Sequence, residues 1–286
     1  MDKMKPHRRG FADLFLKRKP ASKPENRPQE CPVQRCLSYE TAYLYCQGKR
    51  ERQEDAFLYV NQADVSLMNS QGLLAVVADG MGGMYGGREA SNAAVEVLKE
   101  DFAQINRQED IAGQLADSIH RANDAVRQLL DGRGGSTIIA CLLFRETLYY
   151  AGVGDSFLYL LRGGQLIRLN REQNTRHRLY REAIDHGLMD PSVADDNPEA
   201  AAVTQYLGKA VLDDLDYFRR PMKLKEGDVL LLCSDGVAGM LDEDCLVQCL
   251  SCGRPAAACA AMDQRIVQAD NPYQDNYTAL VIRCDK

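Results

Sequence analysis

The sequence has no stretch approaching the ~20 consecutive apolar residues that a bilayer-spanning helix requires, which argues against a helical membrane protein. Its first twenty residues, MDKMKPHRRGFADLFLKRKP, also lack the continuous apolar run of a secretory signal, so the expected compartment is the cytoplasm. It contains neither GxGxxG nor GxxxxGK(S/T), which makes a nucleotide-binding loop a weak rival for its glycine-rich turns. Positive charge is not in excess: the net charge of −6 argues against general affinity for nucleic acid, which depends on neutralising phosphates. Internal repeats and long low-complexity tracts are missing too.

With 286 residues, 45% hydrophobic and 27% charged, the chain can bury one large core, and one domain plus a tail is expected. Residues 1–35 form the tail, rich in Lys, Arg and Pro, with Lys17, Arg18 and Lys19 following Phe11, Leu14, Phe15 and Leu16. A solvated, disordered segment is the expectation there, and docking on a membrane or an acidic partner is the lesser reading. The ten cysteines are scattered, and most read as reduced core residues. Cys245, Cys249 and Cys252 follow helical spacing, which a buried helix face explains without a metal or redox site.

Residues 36–286 carry short apolar runs of strand length and composition: TAYLYC, AFLYV, LLAVVADG, STIIACLLF, TLYYAGVGD, SFLYLLRGG, QLIRLN, DVLLLCSDG and YTALVIRC. The brief links between TLYYAGVGD, SFLYLLRGG and QLIRLN predict successive antiparallel hairpins. Apolar residues at three- and four-residue intervals predict helices over 87–105 and 109–130, and further helical stretches fall in 242–251 and 255–268. Residues 171–212 lose the strand pattern and read as a surface flap with helical pieces in REQNTRHRLYREAIDHG and PEAAAVTQYLG. The expected class is therefore α+β, mixed sheets with helices outside.

Acids stand at the ends of the apolar strands: Asp79 after LLAVVA, Asp155 after YYAGVG, Asp235 after LLLCS and Asp275 before YTALVI. Any one of them can be a helix cap or turn residue. Four such carboxylates together make a field best tolerated with cations, and oxygen ligands favour Mg²⁺ or Mn²⁺. Asp79-Gly80-Met81-Gly82-Gly83 lets the backbone turn beside such a site and frees a carbonyl to ligate; the structural alternative is a plain strand-to-helix turn.

Six ordered motifs then identify a resemblance over residues 38–284: Arg50-Glu51-Arg52-Gln53-Glu54-Asp55-Ala56, Val77 to Gly83, Gly135-Ser136-Thr137, Gly152-Val153-Gly154-Asp155-Ser156, Cys233-Ser234-Asp235-Gly236 and Asp275-Asn276-Tyr277-Thr278. In this order they resemble the protein phosphatase 2C family, in particular its bacterial members. The resemblance implies a four-layer α-β-β-α sandwich of two antiparallel sheets flanked by helices. It implies hydrolysis of phosphoserine and phosphothreonine in proteins, the substrates of serine/threonine kinases, by water activated between two divalent cations. By the same resemblance Asp79 bridges both cations, the Gly80 carbonyl with Glu54 and Asp55 serves one side, and Asp235 with Asp275 holds the other. Asp155 supports a third, weaker cation, and Arg50 grips the phosphate, as a planar guanidinium fork suits. A monomer is expected.

The chain departs from the family pattern at Gln53, commonly Asn, and at Met81, where eukaryotic relatives carry a histidine acid. It departs again at Phe157, usually Arg, and over Leu169 to Asn174, which replaces a Thr-x-Asp-His-Ser pattern; these last two bear on substrate contacts. His177 and His186 read as solvated flap residues. A cysteine nucleophile is disfavoured. The main rival is a catalytically weak or inactive phosphatase-fold sensor of phosphoprotein or metal, against which stands the retention of Asp79, Asp235, Asp275 and Arg50.

Overall fold

The run Leu73–Ala78 is apolar at every position, and such a strand is stable only with both of its faces covered. In the computed structural model, which describes residues 37–81, 86–187, 190 and 192–285, both faces are covered. The described residues belong to one unit, Arg35–Lys286. The basic tail, including Cys31 and Cys36, lies outside the described residues, as do Gly82 and Gly83.

One sheet has the order β1 (Ser38–Cys46), β11 (Tyr277–Asp285), β10 (Val229–Cys233), β6 (Phe157–Arg162), β7 (Gln165–Arg168). The other has the order β2 (Ala56–Val60), β3 (Leu73–Ala78), β4 (Ile138–Phe144), β5 (Thr147–Val153), β8 (Asp216–Tyr217), with β9 (Met222–Lys223) also pairing with β5. Every pairing is antiparallel. Alternation along the central strands divides the core into three layers. Leu73, Ala75 and Val77 meet Leu230, Leu232 and Leu280 between the sheets. On the other face Leu74, Val76 and Ala78 meet α2 (Gly87–Phe102) and α3 (Ile111–Leu130). Leu231, Cys233 and Val281 meet α7 (Glu243–Leu250) and α8 (Pro255–Ala269). The four-layer sandwich is thus present. The short α1 (Val65–Gln71), capped by Asp64, and the two-residue strands β8 and β9 carry too few residues to announce themselves in a sequence pattern.

Three expectations are corrected. TLYYAGVGD and SFLYLLRGG do not form a hairpin: β5 and β6 belong to different sheets. Gly154 to Ser156 carry the chain across the roughly 10 Å between sheets, with Gly154 at φ +107°, a conformation closed to most residues. PEAAAVTQYLG is not helical: Val203 bridges to Asn174 and Leu207 to Ser136, and the Thr204 amide and hydroxyl are both held by the Gln173 carbonyl. The 171–212 segment is no loose surface flap throughout, because Gln173, Asn174, Ala183, Ala194, Ala200 and Leu207 are buried. Its helices are α4 (Thr175–His186) and the one-turn α5 (Ser192–Asp195), and α6 (Asp235–Ala238) follows β10. The β6–β7 hairpin is as expected, with Gly163 and Gly164 both at positive φ in the turn.

Leu232 is fully enclosed between the sheets, so Leu232→Ala should cost about 2–5 kcal/mol in urea unfolding. Ile184→Ala, on an exposed face of α4, should change stability by less than about 0.5 kcal/mol in the same measurement.

Candidate active site

The antiparallel order brings the candidate acids to one end of the sandwich. Asp79 follows β3 and Asp155 follows β5, while Asp55 precedes β2, whose register places Ala56 opposite Ala78. In the other sheet Asp235 follows β10 and Asp275 lies just before β11.

Asp55 is the floor of the site, 1% exposed. Its Oδ2 accepts hydrogen bonds from Ser234 Oγ at 2.9 Å and Thr278 Oγ1 at 2.6 Å, whereas its buried Oδ1 has no partner. Asp79 is anchored through its backbone: its amide donates to Thr137 Oγ1, and its carbonyl accepts from the Thr137 amide and Ser136 Oγ. Gly80 donates to the Glu54 carbonyl, and a Cβ there would lie 2.3 Å from the Gly87 carbonyl, so the approach is closed to any larger residue. Asp79 is partly exposed and Asp235 exposed, although protein packs densely around both. Water therefore reaches Asp79 and Asp235, while Asp55 lies beneath them.

Crowding raises the acids. Burial and the charges of Asp55, Asp235 and Asp155 push Asp79 well above the usual carboxylate range. Burial lifts Asp55 to about 6 against the lowering effect of Thr278 and Ser234, and burial with the Asp235 charge lifts Asp155 to about 7. Asp235 is raised by desolvation and by Asp275, and Glu54 chiefly by desolvation. At the rim Arg50 Nη2 lies 2.5 Å from Asp275 Oδ2. Asn276 fixes this rim by accepting from the Glu54 amide and donating to the Gln47 and Arg52 carbonyls.

An orphaned carboxylate oxygen, two oriented hydroxyls and an all-oxygen donor set fit hard divalent cations. Among the described residues no three His, Cys, Asp or Glu groups are already drawn to coordination spacing; the acids meet pairwise, Asp79 with Asp55 and with Asp235. Mutual attraction to a cation would be needed to converge them.

The substitutions in the 169–174 stretch have structural roles. Asn170 accepts from the Leu158 amide and donates to the Ser156 carbonyl; Gln173 accepts from the Gly154 amide at 2.7 Å; Asn174 caps α4. Phe157 stacks on Tyr159, and the Arg168 guanidinium lies 4.1 Å above the Phe157 ring. His177 faces Glu172 at 3.6 Å and His186 is exposed at the end of α4. Cys46 and Arg52 do have C-x5-R spacing, but the Cys46 thiol faces the Asp263 carboxylate, which repels phosphate. Cys249 is buried in the α7 face with its thiol raised by burial, and the eight described cysteines are all free. The supporting residues Ser234, Thr278, Asn276 and Gln173 were not singled out by sequence; the first three adjoin the acids in the Ser-Asp-Gly and Asp-Asn-Tyr-Thr motifs, which was their only signal.

Comparison with known proteins identifies the family and the fold. A family model described as protein phosphatase 2C matches residues 46–268. The chain is 30% identical over 222 residues to the serine/threonine phosphatase stp of Listeria monocytogenes, covering 74% of this chain and 84% of that protein. The structure of PppA, described as a regulatory component of the type VI secretion system in Pseudomonas aeruginosa, matches with a TM-score of 0.69 at 28% identity, covering 87% of this chain and all of that one. PstP of Mycobacterium tuberculosis matches in fold with a TM-score of 0.70 at 23% identity, covering 87% of this chain and 100% of that one. A structure of the PstP catalytic domain with two manganese ions has a TM-score of 0.68 at the same identity and coverage. With the family model spanning most of its length, the chain belongs to the protein phosphatase 2C family, alongside bacterial serine/threonine phosphatases.

Proposed function

We propose that this chain hydrolyses phosphoserine and phosphothreonine esters in proteins phosphorylated by serine/threonine kinases, with two divalent cations, Mn²⁺ or Mg²⁺, held among its acids. The observation that carries the reading is Asp79, a carboxyl crowded by Asp55, Asp235 and Asp155 and raised well above its ordinary range. Such a cluster is costly unless cations neutralise it. In this reading Asp79 would be shared between the cations, the Gly80 carbonyl with Glu54 and Asp55 would serve one, and Asp235 with Asp275 the other. Asp155 takes a weaker third.

Bound there, the cations supply Lewis acidity toward water and the phosphoryl oxygens. The chain's own residues do the positioning. Thr278 and Ser234 hold one oxygen of Asp55 and leave the other without a partner. Arg50 has five N–H donors, and a single nitrogen meets Asp275, so the fork retains donors for two phosphoryl oxygens. Among the described residues no helix is long and apolar enough to cross a membrane. The free cysteines suit a reducing compartment, which supports a cytoplasmic location.

Purified protein with Mn²⁺ should release phosphate from a phosphothreonine peptide, and EDTA should abolish release. Asp79→Asn and Asp235→Asn should each lose about a hundredfold or more in kcat/KM. A folded wild type that binds Mn²⁺ without turnover would instead favour a sensor. Thr278→Val should weaken Mn²⁺ binding, read by titration calorimetry, about tenfold to a hundredfold by freeing Asp55 to rotate. In chelator the raised acids bind protons more readily folded than unfolded. Their stabilising contribution is full below pH 3.8 and is lost as pH rises through about 6 for Asp55 and about 7 for Asp155. Asp79→Asn in EDTA should therefore melt at a higher temperature than wild type at pH 8, the gap closing toward pH 5, and saturating Mn²⁺ should reverse the order at pH 8.

A further inference from the structure

Residues 219–225, Arg219-Arg220-Pro221-Met222-Lys223-Leu224-Lys225, hold four cations in a chain whose net charge is −6. Alternation sorts them: Met222 and Leu224 pack into the core between the sheets, and Lys223 and Lys225 are exposed. Arg219 and Arg220 precede β9 and are exposed as well. A fifth cation joins them from the β4–β5 turn, where the Lys223 ammonium donates to the carbonyl of exposed Arg145 at 3.1 Å. Lysines on an edge strand guard it against pairing with another chain. Arg145, Arg219 and Arg220 stand outside β9, so that duty does not account for them.

Among the described residues none of the five forms an ion pair. The acids of the neighbourhood are mostly engaged. Glu146 accepts from the Leu37 amide, Asp228 grips Arg162 with both oxygens, and Asp285 pairs with Arg283. Asp110, within electrostatic reach of Tyr149 on β5, caps α3, and Glu226 is the exposed counter-charge in the turn after β9. Positive charge is therefore in local excess. Lys223 pairs with Thr147, the first residue of β5, whereas Asp155 comes just after its last, Val153. A strand rise of about 3.3 Å per residue sets the two ends of β5 roughly 20 Å apart. The domain is thus polarised, with its crowded carboxylates at one end of β5 and these cations toward the other, and a charged surface turns such a molecule before touching it.

A cleft of about 410 Å³ beside the cations is lined by Arg162, Lys225 and Arg283 but also by Glu226 and Asp228, so it does not single out one bound anion. The cations are instead spread over two turns and a strand edge, a layout that suits an extended negative surface. We propose that this basic pole docks the protein on a membrane surface rich in anionic lipid, with the catalytic acids held away from the lipid by their own charge. Membrane anchoring commonly combines an apolar signal with a polybasic one. By sequence, Phe11, Leu14, Phe15 and Leu16 followed by Lys17, Arg18 and Lys19 are joined to the domain through Leu37, whose amide meets Glu146 next to Arg145. The inference goes beyond the phosphatase reading and does not depend on turnover.

The experiment sediments the full chain with vesicles of mixed phosphatidylglycerol and phosphatidylcholine, and with vesicles of phosphatidylcholine alone. Wild type should partition to the anionic vesicles about a hundredfold more strongly, and the excess should shrink as salt shortens the Debye length. Each cation near such a surface is worth about fivefold, so Arg219→Gln with Arg220→Gln should lower partitioning about twentyfold. Arg219→Lys with Arg220→Lys should retain it within about twofold, because charge and not shape is read. Arg127→Gln with Lys209→Gln removes the same net charge toward the catalytic end, where Leu207 bridges to Ser136 and Ser136 to Gly80, and should change partitioning less than about threefold. Wild type that does not prefer the anionic vesicles overturns the proposal, and binding to soluble polyglutamate in their place points to an acidic polypeptide partner. Partitioning that survives Arg219→Gln with Arg220→Gln, or falls equally in both double variants, also overturns it, leaving the basic tail or net charge as the cause.

Discussion

Repulsion among carboxylates at one end of the sandwich is the constraint around which the rest of the molecule is arranged. Burial raises Asp55, Asp79, Asp155 and Asp235, and neighbouring charge adds to it: Asp55, Asp235 and Asp155 act on Asp79, Asp235 acts on Asp55 and Asp155, and Asp275 acts on Asp235. β3 is enclosed along its whole length, so Asp79 is the first polar side chain after six buried apolar residues. Holding such a cluster demands a rigid surround. Gly80 presses to within a Cβ of the Gly87 carbonyl, and a Cβ on Gly236 would stand 2.0 Å from the Asn276 carbonyl. Close backbone contact of this kind keeps the acids from spreading apart to relieve their repulsion, and it stores an affinity for positive charge.

Sheets with helices outside them were legible in the pattern because strands covered on both faces read as continuous apolar runs and α2 and α3 show their faces at helical intervals, while the four-layer order came from the family resemblance. Asp79, Asp155, Asp235 and Asp275 were legible because a charge at the end of an apolar run is conspicuous, whereas Glu54 and Asp55 came only with the family resemblance. Which strands pair was less legible. β5 and β6 are separated by three residues, which looks like a hairpin, and only the positive φ of Gly154 and its tether to Gln173 turn the link into a crossing between sheets. The PEAAAVTQYLG segment has helix-forming alanines, yet the Thr204 bonds to Gln173 and the bridge at Leu207 prevail over that local preference. The hydroxyls of Ser234 and Thr278 had no periodicity to betray them, since their meaning depends on Asp55 about two hundred residues away. The tail before residue 37 stays an expectation of composition.

Asp55 stands just before the edge strand β2 of one sheet, and the two hydroxyls that grip it come from the other, Thr278 in β11 and Ser234 just past the adjacent β10. The acids are likewise divided, Asp55, Asp79 and Asp155 from one sheet, Asp235 and Asp275 from the other. The site is therefore a clasp across the sandwich, and neither half has a meaning without its mate. All strands of the sheet that carries Asp55, Asp79 and Asp155 precede Ser234, Asp235 and Thr278 along the chain, so the groups that orient Asp55 are the last to be synthesised. Completion of the last strand, β11, closes the sheet and the clasp in one event. Catalytic competence in such a molecule arrives all at once with the finished fold, and a truncated or half-docked chain has no partial version of it to misuse.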